Sequence, residues 1–205
     1  MPDGKQGSVF IIAAASGTGK TTLVAQLLKL ESEIKLSVSH TTRMPREGEI
    51  HGQHYFFTSV PDFQTRIDQN EFLEYAQVYD QYYGTSCAWI HDTLKQGHDV
   101  LLEIDVQGAK QVKERLPDVI SIFILPPSLA ELERRLTSRQ TDSIQNVEKR
   151  LSLARHEIEQ ARYFDYVLIN DDLSEALHEL MCIVHAERLK TQKQLGVLQN
   201  LLAND

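Results

Sequence analysis

Residues 9–21 read VFIIAAASGTGKT, and this stretch decides the fold. The continuous apolar run at 9–14 is typical of a buried parallel strand, because such strands are covered on both faces. The turn at 14–21 has the spacing of a Walker A phosphate loop, with Ala14 in place of the usual first glycine. Leucine and valine then recur at helical spacing, which predicts a helix from residue 20 to about 32. A strand, a glycine-bearing turn and a helix in this order indicate the beginning of an α/β fold.

The residue types of this turn suit phosphate binding. Gly17 and Gly19 let backbone N–H groups converge on phosphate oxygens, and the N-terminus of the following helix adds a favourable dipole. Lys20 supplies a cation for the terminal phosphates, and Thr21 supplies a hydroxyl for Mg²⁺. A chance match is disfavoured by the strand before the turn and the helix after it. The expected residues of this nucleotide-phosphate site are Ala14, Ala15, Ser16, Gly17, Thr18, Gly19, Lys20, Thr21 and Thr22.

Strands and helices alternate through the rest of the chain. Strands are predicted at 35–39, 99–105, 119–125 and 164–169, and helices at 87–96, up to 116, at 128–139, at 143–161 and from 173 towards the C-terminus. Repeats of this kind predict a parallel sheet with helices on both faces. The segment 40–85 differs, because aromatic strand patterns at 55–57 and 72–78 flank a short helix from Ser59. This segment is predicted to be a small inserted α+β lobe.

Composition narrows the class of protein. The chain has 205 residues, 41% of them hydrophobic, which suits one domain with a sizeable core. Its 21 Lys and Arg against 29 Asp and Glu give a net charge of -8, which disfavours binding to nucleic acid or membrane surfaces. Cys87 and Cys182 lack the spacing of a metal site, and we expect reduced thiols. With no secretory layout and no run long enough to span a bilayer, the expected location is cytoplasmic.

A second candidate anion site lies in the segment 39–49, SHTTRMPREGE. It places Arg43 and Arg46 three positions apart in a proline-containing loop, and guanidinium groups suit bidentate phosphate contacts. Two solvated arginines would be the alternative if they stood alone. Because Tyr55 and Glu74 follow in the same lobe, the pattern favours a second anionic ligand.

Taken in order, these motifs resemble the guanylate kinase family over residues 8–188. The resemblance rests on the phosphate loop with alanine first, SHTTRMPREGE at 39–49, FLEYA at 72–76, YYGTS at 82–86, EIDVQGA at 103–109, FILPPS at 123–128 and INDDL at 169–173. It implies the P-loop nucleoside-monophosphate-kinase fold, in which helices flank a parallel core sheet. The implied parts of the single domain, 1–205, are a core at 1–39, 86–136 and 152–205, a GMP-binding α+β lobe at about 40–85 and a helical lid at about 137–151.

The resemblance also implies an activity, transfer of the γ-phosphoryl group of ATP to GMP in purine nucleotide metabolism, and we expect dGMP to serve too. The implied GMP-binding residues are Ser39, Arg43, Arg46, Tyr55, Glu74, Tyr83, Thr85, Glu103 and Asp105. The arginines and tyrosines would hold the phosphate, while Ser39, Glu74 and Thr85 would read guanine. A carboxylate can accept hydrogen bonds from guanine N1–H and from its 2-amino group. Adenine has neither donor.

Charge neutralisation is the expected basis of catalysis, because the GMP phosphate is already ionised and needs no general base. The implied catalytic residues are Lys20, Arg43, Arg135, Arg139 and Arg150. The last three would close over the triphosphate as part of the lid. Thr21 and Asp105 would hold Mg²⁺ with ATP, partly through water, and Asn170 would lie near adenine. Gln140 stands where glycine is common in the family, and its effect on lid hinging stays open.

Two other functions stay open at this point. One is an interaction module that binds a partner protein without turnover, and the other is a kinase for a different nucleoside monophosphate. The intact phosphate loop disfavours the first, and Ser39 with Glu74 disfavours the second. His51 and His54 lack acidic or cysteine companions at metal spacing and are interpreted as structural. A leucine stripe near the C-terminus packs either on the core or on a second copy, which leaves a homo-oligomer open; it comprises Leu189, Leu195, Leu198 and Leu201.

Overall fold

The computed structural model describes residues 7–78, 80–137 and 144–203, apart from the side chains of 144–149. The strands in these residues are β1 (Val9–Ala14), β2 (Ile34–Leu36), β3 (His40–Thr41), β4 (Phe56–Phe57), β5 (Phe72–Val78), β6 (Gln81–Ser86), β7 (Asp99–Glu103), β8 (Ile120–Leu125) and β9 (Tyr166–Ile169). The helices are α1 (Lys20–Leu30), α2 (Val60–Asp68), α3 (Cys87–Lys95), α4 (Val106–Arg115), α5 (Leu129–Thr137), α6 (Ile144–Glu159), α7 (Leu173–Arg188) and α8 (Thr191–Ala203), with a 3₁₀ turn at Gln160–Tyr163.

Five strands form a parallel sheet in the order β2-β7-β1-β8-β9. The central strand is β1, in which Phe10, Ile11, Ile12 and Ala13 are fully buried. This burial explains the unbroken apolar run of the sequence, and the predicted α/β fold is confirmed. Ligands of such sheets bind where the strands end at their carboxyl edge.

Helices cover both faces of this sheet. On one face, Leu27 of α1 and Leu180 of α7 pack against the inward side chains of β1 and β8. On the other face, Ile90 of α3 and Val112 of α4 pack against Leu102 of β7. The two apolar layers hold the strand ends in fixed positions and so determine where the loops between strands and helices meet. None of the described helices is both long enough and apolar enough to cross a membrane.

A second, four-stranded sheet is built from the segment between β2 and α3, in the order β4-β3-β6-β5. Phe63 of α2 covers it, 1% exposed, with its ring 4.5 Å from that of Phe72 and 5.5 Å from that of Tyr82, between ring centroids. Helix α2 begins where predicted, because the Ser59 hydroxyl accepts a hydrogen bond from the backbone N–H of Asp62 at 3.2 Å.

Two predicted elements are corrected. The strand predicted at 35–39 ends at Leu36, and pairing resumes at His40 in the second sheet, because residues 37–39 carry the chain from one sheet to the other. The helix predicted to run from 173 towards the C-terminus is two helices, interrupted after Arg188. The second of them, α8, buries none of its residues. The segment 138–143, within the predicted lid, lies outside the described residues.

A polar network fastens α7 at the edge of the parallel sheet opposite the strand carboxyl ends. The Arg188 guanidinium donates to Asp99 Oδ2 through Nε and to Glu31 Oε2 through Nη1, each at 2.7 Å. The other oxygen of Asp99 accepts from the backbone N–H of Ser8 at 2.7 Å. Because the Asp99 side chain is largely buried, its charge depends on Arg188 for compensation, while Glu31 contacts both Arg188 and His185.

Candidate active site

Side-chain hydrogen bonds to backbone carbonyls fix the phosphate loop between β1 and α1. Gly17 and Gly19 adopt positive φ angles of 93° and 91°. Thr18 is fully buried, and its hydroxyl donates to the carbonyl of Ala15 at 3.0 Å. The Asn170 amide, at the end of β9, donates to the carbonyl of Thr18 at 2.7 Å. A Cβ at position 19 would lie 2.6 Å from the Asn170 nitrogen, so this close approach requires glycine as well as the positive φ does.

Lys20 begins α1 and points towards the end of β7. Its Nζ donates to the carbonyl of Ile104 at 3.3 Å and lies 3.9 Å from Glu103 Oε1. Burial lowers the pKa of Lys20, while the charges of Glu103, Asp105 and Glu157 oppose that shift. A cation that is partly desolvated among three carboxylates is well placed to bind an incoming polyphosphate, because phosphate oxygens would complete its solvation.

Oxygen donors that suit Mg²⁺ lie beside this lysine. The Thr21 hydroxyl donates to Glu103 Oε1 at 2.7 Å, and Asp105 Oδ1 accepts from the backbone N–H of Gly108 at 2.8 Å, which caps α4. One hydroxyl and two carboxylates fit a hard cation that keeps several waters and binds substrate phosphates. Among the described residues, no group of three His, Cys, Asp or Glu side chains forms a metal site of its own.

Arg135 of α5 contacts the phosphate loop directly. Its guanidinium donates to the carbonyl of Thr18 at 3.3 Å and to the carbonyl of Asn170 at 3.2 Å. Glu131, one turn earlier on α5, accepts from Arg135 Nε at 2.8 Å and orients the group. The i,i+4 spacing of Glu131 and Arg135 is visible in the sequence, although Glu131 carries no predicted role.

Helix α6 reaches the same loop from the other side. Arg150 Nη2 donates to the hydroxyl of Ser16 at 2.8 Å. Burial raises the pKa of Glu157, while a hydrogen bond from the backbone of Ser16 opposes that shift. Glu157 was not among the predicted site residues, because its contact with the loop spans most of the chain. Arg139 and Gln140 lie outside the described residues.

The second sheet carries a cationic and aromatic cluster around Arg43. The Arg43 guanidinium carbon lies 5.4 Å from the ring centroid of Tyr55 and 5.9 Å from that of Phe57. The rings of Tyr55 and Tyr83 meet edge to face at 6.0 Å. Three of the four residues expected to bind the GMP phosphate, Arg43, Tyr55 and Tyr83, are thus brought together. Arg46, the fourth, is exposed.

Glu49 closes the loop that holds both arginines. Its Oε1 lies 2.7 Å from Arg43 Nη2, and its Oε2 accepts from the backbone N–H of Arg46 at 2.7 Å. The bond from Arg43 is the largest of the causes that lower the pKa of Glu49 to about 2. Glu49 carries no predicted role, although it is the last residue of the motif quoted for this loop. Its carboxylate engages the guanidinium that is expected to bind phosphate.

Glu74 and Thr85 face each other across β5 and β6. Glu74 is 3% exposed, and its Oε1 accepts from the Thr85 hydroxyl at 2.5 Å. Burial raises the pKa of Glu74 to about 7, the Thr85 hydrogen bond opposes this shift, and the charge of Asp105 adds to it. Ser39 precedes β3, where its backbone carbonyl accepts from the N–H of Phe56 at 2.9 Å.

Glu103 and Asp105 lie between the two candidate sites. They follow β7 beside Lys20, yet their charges also reach the second sheet. Tyr55 has a raised pKa, chiefly through burial, and Glu103 is among the charges that add to the shift. Asp105 acts in the same way on Glu74. The carboxylates after β7 thus lie near both parts, since Glu103 accepts from Thr21 of the phosphate loop while Asp105 and Glu74 both approach Gly108.

The two predicted structural histidines have backbone partners. His54 Nδ1 accepts from the N–H of Ile50 at 2.9 Å, and His51 Nδ1 accepts from the N–H of Phe57 at 3.2 Å. Both rings stabilise the loop that leads into β4, as the structural interpretation requires. For Asn170, the contact with Thr18 is a supporting role that the sequence pattern did not predict.

Comparison with known proteins identifies the family of this chain. The family model described as Guanylate kinase matches residues 6–187. The chain belongs to the guanylate kinase family. The guanylate kinase of Neisseria meningitidis is 54% identical over 200 residues, which cover 98% of each chain. That of Dechloromonas aromatica is 52% identical over 183 residues, covering 89% of this chain and 91% of the relative.

A solved structure extends the guanylate kinase comparison to the fold. The crystal structure of guanylate kinase from Anaplasma phagocytophilum superimposes with a TM-score of 0.78 at 34% sequence identity. The match covers 97% of this chain and 95% of that one. The two sheets described above thus belong to a fold that this family shares.

Proposed function

We propose that this protein is an ATP:GMP phosphotransferase, which converts GMP and ATP to GDP and ADP by direct in-line transfer. Membership of the guanylate kinase family supports this activity. At the level of residues, the observation that carries the proposal is the buried Glu74 carboxylate, held by Thr85 in the same lobe as the Arg43 cluster. One end of that lobe suits a purine base and the other suits a phosphate.

Glu74 is the proposed reader of guanine. In its ionised form it accepts hydrogen bonds from N1–H and the 2-amino group, while Thr85 holds the carboxylate and Ser39 lines the site. Adenine presents a lone pair at N1 and has no 2-amino group, which would leave a buried carboxylate unpaired. A penalty of about 1–3 kcal/mol or more follows for such a group. The same base and phosphate occur in dGMP, so dGMP is proposed as an acceptor.

The GMP phosphate is proposed to bind between Arg43, Arg46, Tyr55 and Tyr83. Arg43 is already oriented by the two aromatic rings and by Glu49. A phosphate dianion offers more oxygens and more charge than the Glu49 carboxylate, so it competes well for the guanidinium. Glu103 and Asp105 border this ligand on the side of the phosphate loop.

ATP is proposed to bind with its phosphates in the loop at 14–22, against Lys20, with Asn170 on the side of the adenine. Arg135 and Arg150 already contact the loop and would neutralise charge on the transferring group, together with Arg139. The transfer does not need a proton to be removed from GMP. Alignment of the two phosphates and stabilisation of charge supply the rate enhancement.

Mg²⁺ is proposed to accompany ATP, with Thr21 and Asp105 as its protein contacts, partly through water. When bound, the ion would neutralise charge on the terminal phosphates of ATP. Glu103 accepts the Thr21 hydrogen bond and thereby orients that hydroxyl towards the cleft.

The remaining features of the proposal concern organisation. The core, the GMP-binding lobe at about 40–85 and the lid at about 137–151 are proposed as one functional domain. A cytoplasmic location is supported by two free cysteines, and the net charge of -8 argues against nucleic acid or a membrane surface as partner. The exposed leucines of α8 leave a homo-oligomer open.

A coupled assay of ADP release tests this function with GMP, dGMP, AMP and UMP as separate acceptors. We expect turnover with GMP and dGMP, and a far lower kcat/KM with AMP and UMP. Faster turnover of AMP or UMP than of GMP would contradict the assignment of guanine to Glu74. Binding of GMP without ADP release would instead favour an interaction module.

A further inference from the structure

Both oxygens of the Glu74 carboxylate have a defined neighbour. Oε1 accepts from Thr85, on the adjacent strand, at 2.5 Å. Oε2 faces the first turn of α4 at Gly108, where a Cβ added to the glycine would lie 2.6 Å from Oε2 and 3.2 Å from the carboxyl carbon. Such separations are well below ordinary van der Waals contact. The carboxylate therefore occupies the space that any other residue at position 108 would fill.

The backbone beside Glu74 is not free to yield to such a side chain. The Gln111 amide donates to the carbonyl of Tyr75 at 2.7 Å and accepts from the N–H of Tyr75 at 3.1 Å. Arg115, further along α4, donates to the carbonyl of Phe72 at 2.6 Å. These three bonds fix β5 against α4 on both sides of Glu74. A group inserted at position 108 must therefore be accommodated by the Glu74 side chain itself.

Helix α4 is equally fixed at its beginning. Asp105 Oδ1 accepts from the N–H of Gly108 at 2.8 Å, and Ala109 and Val112 are buried in the core. Alanine is a better helix former than glycine, so the helix itself tolerates Gly108→Ala. The added methyl group would clash with the Glu74 carboxylate, whereas Asp105 Oδ1, at 3.5 Å, would be in ordinary van der Waals contact.

We propose that Gly108 is a specificity-determining residue, which positions the Glu74 carboxylate for guanine because its missing side chain leaves room for Oε2. The inference rests on the proposed role of Glu74 in reading the base. It assigns to a residue without a functional group a part in the choice of substrate. Gly108 acts through Glu74 and is a positioning residue, since it does not touch the reacting atoms.

Steady-state kinetics of Gly108→Ala test this role, with GMP and with inosine monophosphate, which lacks the 2-amino group, as acceptors. We expect KM for GMP to rise about tenfold or more, since a displaced carboxylate loses hydrogen bonds to guanine. The preference for GMP over inosine monophosphate falls, while KM for ATP and the thermal midpoint stay unchanged. Lys110→Ala, at an exposed position on the same helix, is the matched control and should keep all parameters near those of the unmodified protein.

The same substitution in a Glu74→Asp protein tests whether Gly108 acts by positioning the carboxylate or only by helix packing. Glu74→Asp withdraws the carboxylate from position 108, so Gly108→Ala should have a smaller effect in that background than in the unmodified protein. Equal effects in both backgrounds, or a fall in kcat with both KM values and stability altered together, would mean a merely structural role and overturn the proposal.

The kinetics of Glu74→Gln distinguish an error about Gly108 from an error about base reading by Glu74. If Glu74→Gln raises KM for GMP but Gly108→Ala does not, the role of Gly108 is wrong and base reading by Glu74 stands. If Glu74→Gln leaves KM for GMP unchanged, base reading itself is wrong, and the role of Gly108 falls with it.

Discussion

Replacing Glu74 by glutamine should change how the stability of the protein depends on pH. The folded protein raises the pKa of this carboxyl to about 7 from 4.5, chiefly through burial. Between these two values the folded chain holds a proton that the unfolded chain has lost. Linkage then requires that the free energy of unfolding falls as the pH rises through this window. Glu74→Gln removes the titrating group and keeps a partner for Thr85.

The magnitude follows from the two pKa values. Each pKa unit corresponds to about 1.4 kcal/mol, so the whole window from 4.5 to about 7 is worth about 3 kcal/mol. Between about pH 5 and about pH 8.5, most of that amount, about 2–3 kcal/mol, should be lost by the unmodified protein relative to Glu74→Gln. Other titrating groups are common to both proteins and cancel in the comparison.

Urea unfolding of both proteins at these two pH values, without nucleotides, measures the difference. We expect the variant to gain stability relative to the unmodified protein as the pH is raised. A relative stability that is the same at both pH values would refute the reasoning, because it would mean that Glu74 ionises in the folded protein as easily as in the unfolded chain.

The same carboxyl should couple GMP binding to proton release. Guanine N–H groups favour the ionised form of Glu74, so binding near pH 7 expels the proton that about half of the free molecules carry. Calorimetry in two buffers of different ionisation enthalpy counts the protons. Glu74→Gln should release fewer than the unmodified protein, and equal release from both would contradict this coupling.

Three further substitutions test other parts of the structure. Lys20→Ala should lower kcat about 100-fold or more with an unchanged thermal midpoint, because a cation for the transferring phosphate is lost; coupled ADP release and thermal unfolding measure both. Arg43→Lys should raise KM for GMP about tenfold but not KM for ATP, since an ammonium can neither fork to phosphate nor stack on Tyr55; steady-state kinetics decide. Arg188→Leu should destabilise the protein by about 3–5 kcal/mol in urea unfolding, because Asp99 loses its cation; a loss below about 1 kcal/mol would contradict the network.

Local patterns in the sequence were sufficient for the main elements of the fold. The apolar run of β1, the glycines of the phosphate loop and the leucine spacing of α1 each depend on neighbours in the chain, and all three occur where predicted. The end of β2 was misplaced because residues 37–39 alternate like a strand. In the structure these residues connect β2 of the first sheet to β3 of the second. The interruption after Arg188 carries no Gly or Pro, so the leucine pattern runs on through it.

The candidate site was predictable only as far as its motifs reached. Arg43 and Tyr83 were named as partners in one phosphate site, and the structure brings them to one cluster. The contact of Asn170 with Thr18 joins residues 152 positions apart, and no periodicity in a single sequence indicates such a pair. The role of Gly108 could not be predicted either, because the need for a glycine there depends on the position of the Glu74 carboxylate. Only the structure gives that position.

The polar network of Arg188 has a consequence for synthesis on the ribosome. Arg188 follows its partner Asp99 by 89 residues, so at about 5–20 residues per second the acid emerges roughly 4–18 s before its cation. During that interval the nascent chain cannot bury Asp99, at the edge of the sheet opposite the strand carboxyl ends, without burying an uncompensated negative charge. Native structure is therefore completed late, when α7 is translated, and any factor that protects the nascent chain has to act before then.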